Sequence, residues 1–185
     1  MALLRRSLVL LALLLLALPV AAQEGSSPGP LEYELKAAFL FNFVKFVEWP
    51  ADAFAGAKSP LTICVYGADP FGASLDGAVR GESLGERGLL VQRPESLDDL
   101  RDCQVLFVSR SERARMPEVL ARVQGAPVLT VGDTDGFLKA GGVINFVVEH
   151  NKVRFLINQE AAGRSQLKIS SKLLRLAVQE PGKGP

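Results

Sequence analysis

The sequence predicts a small three-layer α/β sandwich, with a mostly parallel sheet, helices on both of its faces and an antiparallel C-terminal hairpin at one edge. Short apolar, β-branched runs alternate with helical segments through the middle of the chain, which favours parallel strands covered on both faces. The last two apolar runs flank a tight turn, which indicates a hairpin. The stretch between a polar leader and a polar tail is about 150 residues long, which suits one domain.

The first 22 residues predict export from the cytoplasm. Arg5 and Arg6 precede a nearly pure Leu/Ala/Val run from Leu8 to Leu18, and small residues lead up to Ala22, as in a signal peptide cleaved after that residue. The run is about a dozen residues long, whereas a membrane-spanning helix needs roughly 20. We therefore expect a mature chain outside the cytoplasm without a transmembrane segment, with an uncleaved N-terminal anchor as the alternative.

Composition sets the remaining boundaries. Residues 23–30 are too polar and too rich in Pro and Gly to pack, so they predict a flexible leader, and residues 179–185 predict a disordered tail. Residues 31–178 are then the single folded domain. The chain has 21 Lys and Arg against 20 Asp and Glu, so no global charge favours nucleic acid or an anionic membrane as a partner.

An aromatic helix from Glu32 to Trp49 is expected to open the domain, and Pro50 ends it because the residue before a proline avoids helical geometry. Its large apolar side chains cover an arc of about 200°. They are Phe39, Leu40, Phe41, Phe43, Val44, Phe46 and Val47, with Phe41 beyond the edge of the arc and Lys36, Lys45 and Glu48 as the polar remainder. Either the domain covers this helix on two sides, or part of it meets a second protein chain.

The sheet region follows in a regular order. Each strand is indicated by a short run rich in Val, Ile, Leu and Phe, and each helix by a polar cap or an initial proline. In chain order we expect a strand at 61–67, a helix capped by Asp69 and reaching Arg80, a strand at 88–93, a short helix after Ser96, a strand at 103–109, a helix at 117–123 and a strand at 127–132.

The hairpin and one helix complete the predicted domain. Strands at 141–149 and 153–158 flank a turn that contains His150, and they close one edge of the sheet. A final helix is expected to begin near Ser170 or Ser171.

Cys64 and Cys103 are the only cysteines. In an oxidising compartment an intramolecular disulfide is the default, and the two residues become neighbours if the first and third strands are adjacent. The chain-entropy model gives such a bond about 4 kcal/mol. A structural bond and a redox switch both stay open at this point. Two cysteines without nearby histidines make a poor metal site, and no metal is expected.

The sequence contains no convincing set of catalytic residues. The single histidine, His150, falls in the hairpin turn, so a nucleophilic triad would depend on an exposed ring. Asp133, Asp135 and Glu149 could form an acidic site, but the Gly132–Gly136 segment has ordinary loop chemistry. We therefore expect no enzyme and no cofactor.

A ligand site is the alternative at the carboxyl ends of the strands, where α/β sheets often bind small molecules. Its candidate residues are Gly67, Asp69, Gly132 and Asp133. Pro70 removes one of the amides that would hold a phosphate, so a structural turn is favoured over a phosphate loop.

Basic residues cluster twice, and both clusters predict solvated faces, with a contribution to a partner surface as the alternative. Acidic residues interrupt them and no aromatic residues are interleaved, which argues against nucleic-acid binding. The clusters are Arg110, Arg113 and Arg115, and then Arg164, Lys168, Lys172 and Arg175.

Several segments, taken in order, resemble the YfiR family of bacterial periplasmic proteins, and the resemblance runs from about Leu31 to Val178. The segments that carry it are the aromatic stretch 36–50, the strand and turn at 63–72, the strand at 103–109, Gly136-Phe137 with Gly141-Gly142, the strand at 154–158 and the segment Leu167–Leu174.

The resemblance implies a periplasmic repressor that binds the sensory region of an inner-membrane diguanylate cyclase, keeping cyclic-di-GMP low and restraining biofilm formation. It also implies that Cys64 and Cys103 form the family's structural disulfide. The YfiR-type repressor has a second cysteine pair linked to redox control, which this sequence lacks, so redox sensing through that pair is not expected. A homodimer stays open, and a periplasmic small-molecule sensor is the alternative function.

Two surfaces are candidates for binding the partner. The first is the exposed part of the aromatic helix, with Phe41, Lys45, Glu48 and Trp49, and the second is the helix expected at 168–175, with Lys168, Lys172 and Arg175.

Overall fold

The computed structural model describes residues 29–178. The signal peptide, nearly all of the leader and the C-terminal tail that the sequence predicts lie outside the described residues.

The domain alternates helices with mostly short strands. The helices are α1 (Pro30–Val44), α2 (Ala73–Val79), α3 (Met116–Arg122), α4 (Gln159–Arg164) and α5 (Ser171–Leu176). The strands are β1 (Val47–Glu48), β2 (Leu61–Tyr66), β3 (Ser83–Leu84), β4 (Arg87–Gln92), β5 (Val105–Val108), β6 (Leu129–Gly132), β7 (Ile144–Glu149), β8 (Lys152–Ile157) and β9 (Lys168–Ile169). Single 3-10 turns at 51–53, 97–102 and 110–112 fill three of the connections.

A seven-stranded sheet with the order β3-β4-β2-β5-β6-β7-β8 organises these elements. β4, β2, β5, β6 and β7 are parallel, while β3 and β8 pair antiparallel at the two edges. His150 and Asn151 turn the β7–β8 hairpin with positive φ values. The predicted fold class is therefore confirmed, including the edge hairpin.

Two apolar cores lie on opposite faces of the sheet because successive strand residues point to opposite sides. Ile63 and Val65 of β2 join the larger core under α1, α2, α4 and α5, whereas Cys64 and Tyr66 join the smaller core under α3. Phe39 and Phe43 of α1 pack on Phe146 and Phe155 of the hairpin at ring-centroid distances of 5.0–6.0 Å.

The predicted disulfide is present and buried in the smaller core. Cys64 lies on β2 and Cys103 lies just before β5, with their Cα atoms 5.8 Å apart and both residues at most 1% exposed. β2 and β5 are adjacent, as the sequence argument required.

The first helix is shorter than the predicted Glu32–Trp49 segment. α1 ends at Val44, and Val47 and Glu48 instead form β1, which pairs antiparallel with β9. The backbone amide of Ser170 donates to the carbonyl of Phe46. The prediction of helix through Trp49 was wrong because these residues pair with β9, a strand far along the chain. Their aromatic and β-branched side chains suit a strand.

The helix predicted to start at Asp69 begins later. Asp69 Oδ1 accepts hydrogen bonds from the amides of Phe71 and Gly72, forming a turn, and α2 starts at Ala73. Gly72 has φ of +53°, a conformation that glycine adopts freely, so the chain changes direction there before the helix begins.

The last helix begins at Ser171, within the predicted range, but Lys168 is not part of it. Lys168 lies on β9, and the Ser170 hydroxyl caps α5 by accepting from the amide of Leu173. No helix within residues 29–178 combines the length and the apolar character that crossing a bilayer requires.

Candidate functional site

A buried polar cluster joins the start of α1 to the carboxyl edge of the sheet. Asp133 directly follows β6, and Lys36 of α1 places its ammonium 2.6 Å from Asp133 Oδ2. The hydroxyl of Tyr33 donates to the same oxygen at 2.9 Å, and Nε of Arg110 lies 3.2 Å from it. Oε1 of Glu32 lies 2.5 Å from the Lys36 ammonium. Two cations thus face two carboxylates, and the cluster is neutral as a whole.

Burial makes this cluster sensitive to the charge of each member. The side chains of Lys36 and Asp133 are 0% exposed. Burial, and then the charge of Asp133, raise the pKa of Tyr33 well above its usual value, so its hydroxyl stays protonated and remains a donor. The ammonium of Lys36 also lies 4.4 Å from the centre of the Tyr33 ring. These contacts fix the first turns of α1 over the ends of β5 and β6.

Sequence analysis missed most of this cluster. Lys36 was expected among the polar residues of the first helix, but it is fully buried. Arg110 is exposed, as expected, but its pairing with Asp133 was not predicted. The local sequence gives no sign of a partner so far along the chain. The available signal was a lysine inside an apolar helix together with an aspartate directly after a buried strand.

The four alternative ligand residues lie along the same edge of the sheet, and each contacts other parts of the chain. Asp133 belongs to the buried cluster. A Cβ at Gly67 would lie 2.5 Å from the Ser111 hydroxyl, and one at Gly132 would lie 2.5 Å from the Phe137 ring.

Asp69 is also engaged by its surroundings. Besides the turn that it caps, its Oδ2 lies 2.8 Å from Nε of Arg93, and the same guanidinium reaches Asp76 at 2.7 Å. Arg93 therefore ties the end of β4 to the turn before α2. The side chains at this edge bond mainly to one another.

The two candidate partner surfaces are brought together by the pairing of β1 with β9. Glu48 lies opposite Lys168 in the register, and the start of α5 is bonded to Phe46. We call this region the β1–β9 surface, and its residues are Phe41, Lys45, Glu48, Trp49, Lys168, Lys172 and Arg175. The five charged residues are exposed, whereas Phe41 and Trp49 are half-buried.

The two aromatic residues of the β1–β9 surface have different surroundings. The indole nitrogen of Trp49 donates to the carbonyl of Gln104, which holds the ring against the N-terminal edge of the sheet. Phe41 packs partly on the larger core, and the ammonium of Lys45 lies 3.9 Å from its ring centre. Phe41 therefore has both core contacts and an outward-facing part. This is compatible with a helix covered by its own domain and with a helix that contacts a second protein chain.

A separate cleft lies between α3 and α4. Its volume is about 330 Å³, and its lining includes Gln124, Thr130, Lys139, Arg164 and Ser165. Apolar side chains of α3 complete one wall. None of the sequence-predicted site residues lines it.

Comparison with known proteins connects this geometry to a family. The sequence model of the YfiR/HmsC-like family matches residues 33–178. This range contains nearly all of the described domain, including the β1–β9 surface and the buried cluster apart from Glu32.

Two solved structures match this chain at low sequence identity. A conserved domain protein from Vibrio cholerae O1 biovar El Tor shares 12% identity with a TM-score of 0.49, covering 78% of this chain and 58% of that one. An ABC domain in complex with L-Trp from Streptococcus pneumonia shares 10% identity with a TM-score of 0.50, covering 76% of this chain and 59% of that one. This chain matches less than two thirds of the length of either, and the second likeness concerns the fold alone.

Proposed function

This chain belongs to the YfiR/HmsC-like family, and from that membership we propose that it binds and inhibits the sensory region of an inner-membrane diguanylate cyclase from the periplasm. Inhibition would lower cyclic-di-GMP and restrain biofilm formation. The family match over residues 33–178 is the observation that carries the proposal. Members of this family are periplasmic regulatory proteins rather than known enzymes, so the proposed mechanism is binding without catalysis.

The β1–β9 surface supports a role in binding. It combines aromatic side chains, exposed cations and one carboxylate on adjoining elements. Aromatic residues with an apolar body and a charged surround are typical of the centre of a protein interface. The partner would be held by contact with this surface, which fixes its sensory region in one state.

The carboxyl edge of the sheet is less suited to contacting a partner or a ligand. Its charges pair with one another, and its central carboxylate, Asp133, is fully buried. A partner that contacted this edge would have to compete with the four polar contacts inside the buried cluster, three of which are made by Asp133. This contrast favours the β1–β9 surface.

The proposal is tested in the source bacterium by deleting the gene and measuring cellular cyclic-di-GMP. We expect a rise that is reversed by the full-length gene and not by one lacking residues 1–22. Unchanged cyclic-di-GMP, under conditions in which the gene is expressed, would remove the cyclase from the proposal.

Phe41→Glu provides the residue-level test of the surface. We expect loss of cyclic-di-GMP repression, because a buried charge at an interface opposes binding, while the purified domain stays folded. Arg113→Glu, an exposed change on the opposite edge of the sheet, is the control and should repress normally. If the Phe41 variant unfolds, Phe41 is a core residue and Lys45→Glu, which changes an exposed side chain, becomes the deciding variant.

Small-molecule sensing is the second candidate function, and the cleft between α3 and α4 is the observation that favours it. A volume of about 330 Å³ falls at the lower end of the range for ligand pockets. A screen of metabolites by thermal shift would support this function if one compound raises the unfolding temperature and Lys139→Glu abolishes the effect. The strand-end site at Gly67, Asp69, Gly132 and Asp133 stays a prediction, which an Asp69→Ala variant tests in the same screen.

A further inference from the structure

Four exposed cations gather on the β1–β9 surface without a carboxylate partner. Lys45 follows the end of α1, Lys168 lies on β9, and Lys172 and Arg175 lie one turn apart on α5. Within residues 29–178 none of the four forms an ion pair, whereas Lys36, Arg93, Arg110, Arg115, Arg122 and Arg164 all do. Five of the eleven described arginines are thus neutralised locally, and this group of four cations is not.

The position of Lys172 is electrostatically unfavourable for the fold. It lies in the first turn of α5, which contains no acidic residue. A helix N-terminus carries partial positive charge, so a cation there lowers helix stability instead of raising it. The stability of α5 therefore does not account for this charge.

The rest of the surface is apolar rather than acidic. Leu176 is 61% exposed and follows Lys172 by one helical turn. Phe41 and Trp49 of the same surface are half-buried. Glu48 is the one carboxylate of the set, so four cations leave three net positive charges. Lys and Arg beside exposed Leu and aromatic rings are typical of surfaces that rest on a membrane interface.

We propose that the β1–β9 surface docks on anionic phospholipid headgroups. The inference depends on the proposed function only for its location, since a regulator of a membrane-anchored enzyme works beside the bilayer. Lys45, Lys168, Lys172 and Arg175 contact the headgroup phosphates, and Leu176 enters the interface between headgroups and acyl chains. Phe41 and Trp49 of the same surface are then left to contact the sensory region of the partner. Docking confines the regulator to the plane of its partner and so raises its effective concentration there.

Charge complementarity sets the expected size of the effect. Each basic residue near an anionic bilayer increases the binding of the protein to the bilayer roughly fivefold. Three net charges therefore favour anionic over neutral vesicles by about a hundredfold at low salt, and screening removes most of this preference at high salt.

Vesicle flotation with the purified exported protein tests the proposal, using phosphatidylcholine vesicles with and without phosphatidylglycerol. The test variant combines Lys172→Glu with Arg175→Glu, two exposed residues without ion pairs among the described residues. The control combines Arg80→Glu with Arg113→Glu, which makes the same change in net charge at exposed positions elsewhere. Thermal unfolding of each variant establishes that it is folded.

We expect the wild type and the control to float only with the anionic vesicles, and the test variant to lose this binding at least tenfold. Equal loss in the control would overturn the proposal, because attraction would then follow net charge and not this surface. Absence of wild-type binding to anionic vesicles at low salt would also overturn it. Suppose that the wild type does not bind anionic vesicles and that the test variant nevertheless fails to repress cyclic-di-GMP. The cations would then belong to the interface with the partner protein, so the membrane proposal would be overturned and the proposed function would stand.

Discussion

Lys36 carries a full positive charge in an environment without solvent exposure. Transferring an ammonium and a carboxylate from water costs several kcal/mol for each ion, and close contacts offset this cost only when they are nearly complete. Here the ammonium has two carboxylates within 2.6 Å, and Oδ2 of Asp133 has two further partners in Tyr33 and Arg110, while Oδ1 of Asp133 is buried without a hydrogen bond from the described residues. At the scale of single residues, therefore, the neutrality of the whole cluster stabilises the position of α1.

Replacing Lys36 by Met should destabilise the domain by about 3–5 kcal/mol, because Asp133 would stay buried without its principal cation. Chemical denaturation measures the free energy of unfolding. Lys45→Met, directly after the end of α1, is the matched control, and the exposure of Lys45 predicts a change within about 0.5 kcal/mol. Equal small effects in both variants would contradict the structural role of the cluster.

Tyr33 predicts a specific dependence on pH. Its pKa is raised in the folded state, so the unfolded chain releases the phenolic proton first, near the usual value of 10.0. The contribution of this group to stability is complete below that pH and declines as the pH rises above it. The stability difference between wild type and Tyr33→Phe should therefore narrow above pH 10. A constant difference across the alkaline range would show that the environment of Tyr33 is not as described.

At the scale of elements, the pairing of β1 with β9 decides where α1 stops. The last residues of the predicted helix have apolar side chains that suit either state, and the extended state gains a cross-strand partner in Ile169. The hydrogen bond from Ser170 to Phe46 then sets the position at which α5 can begin. One two-residue strand pair thus orders an element at each end of the domain.

The cap of α5 can be tested separately from the strand pair. Ser170→Ala removes the hydroxyl that accepts from the amide of Leu173 and should cost about 1 kcal/mol. Ser171→Ala, one residue later and inside the helix, is the control and should be neutral or slightly stabilising. Hydrogen exchange in α5 distinguishes the two, because loss of the cap frays the first turn. Equal protection in both variants would contradict the assignment.

The sequence predicted the elements whose signals are local. β2, β5, β6 and the hairpin were predicted because their apolar runs are bounded by turn residues, and α5 because a serine precedes its apolar positions. The two-residue strands β1, β3 and β9 were not predicted, since strands this short have no periodicity of their own, whereas β4 was predicted at 88–93. The partners of Lys36 were missed for a related reason, because ion pairs between distant residues leave no local pattern.

At the scale of the whole molecule, one disulfide joins the central strands beneath the smaller core. Cys64 and Cys103 are both buried, so reductants reach the bond only when the domain opens. The sequence predicted this pair correctly because only two cysteines are present and their strands are adjacent.

A variant with both Cys64→Ala and Cys103→Ala should remain folded and lose about 2–4 kcal/mol of stability. The wild type in reductant, without denaturant, should keep its disulfide far longer than an unfolded sample does. Thiol labelling over time measures this difference. Rapid reduction of the native protein would contradict the burial of the bond and would return the redox switch to consideration.

The β1–β9 pair also has a consequence for how the molecule is made. β9 lies ten residues before the end of the described chain, so β1 has no partner until almost all of the domain has been synthesised. Until then α1 lacks the contacts that end it at Val44, and its aromatic residues lack a completed core. The β1–β9 pair, and with it the position at which α5 begins, is therefore among the last contacts of the domain that can form as the chain is made.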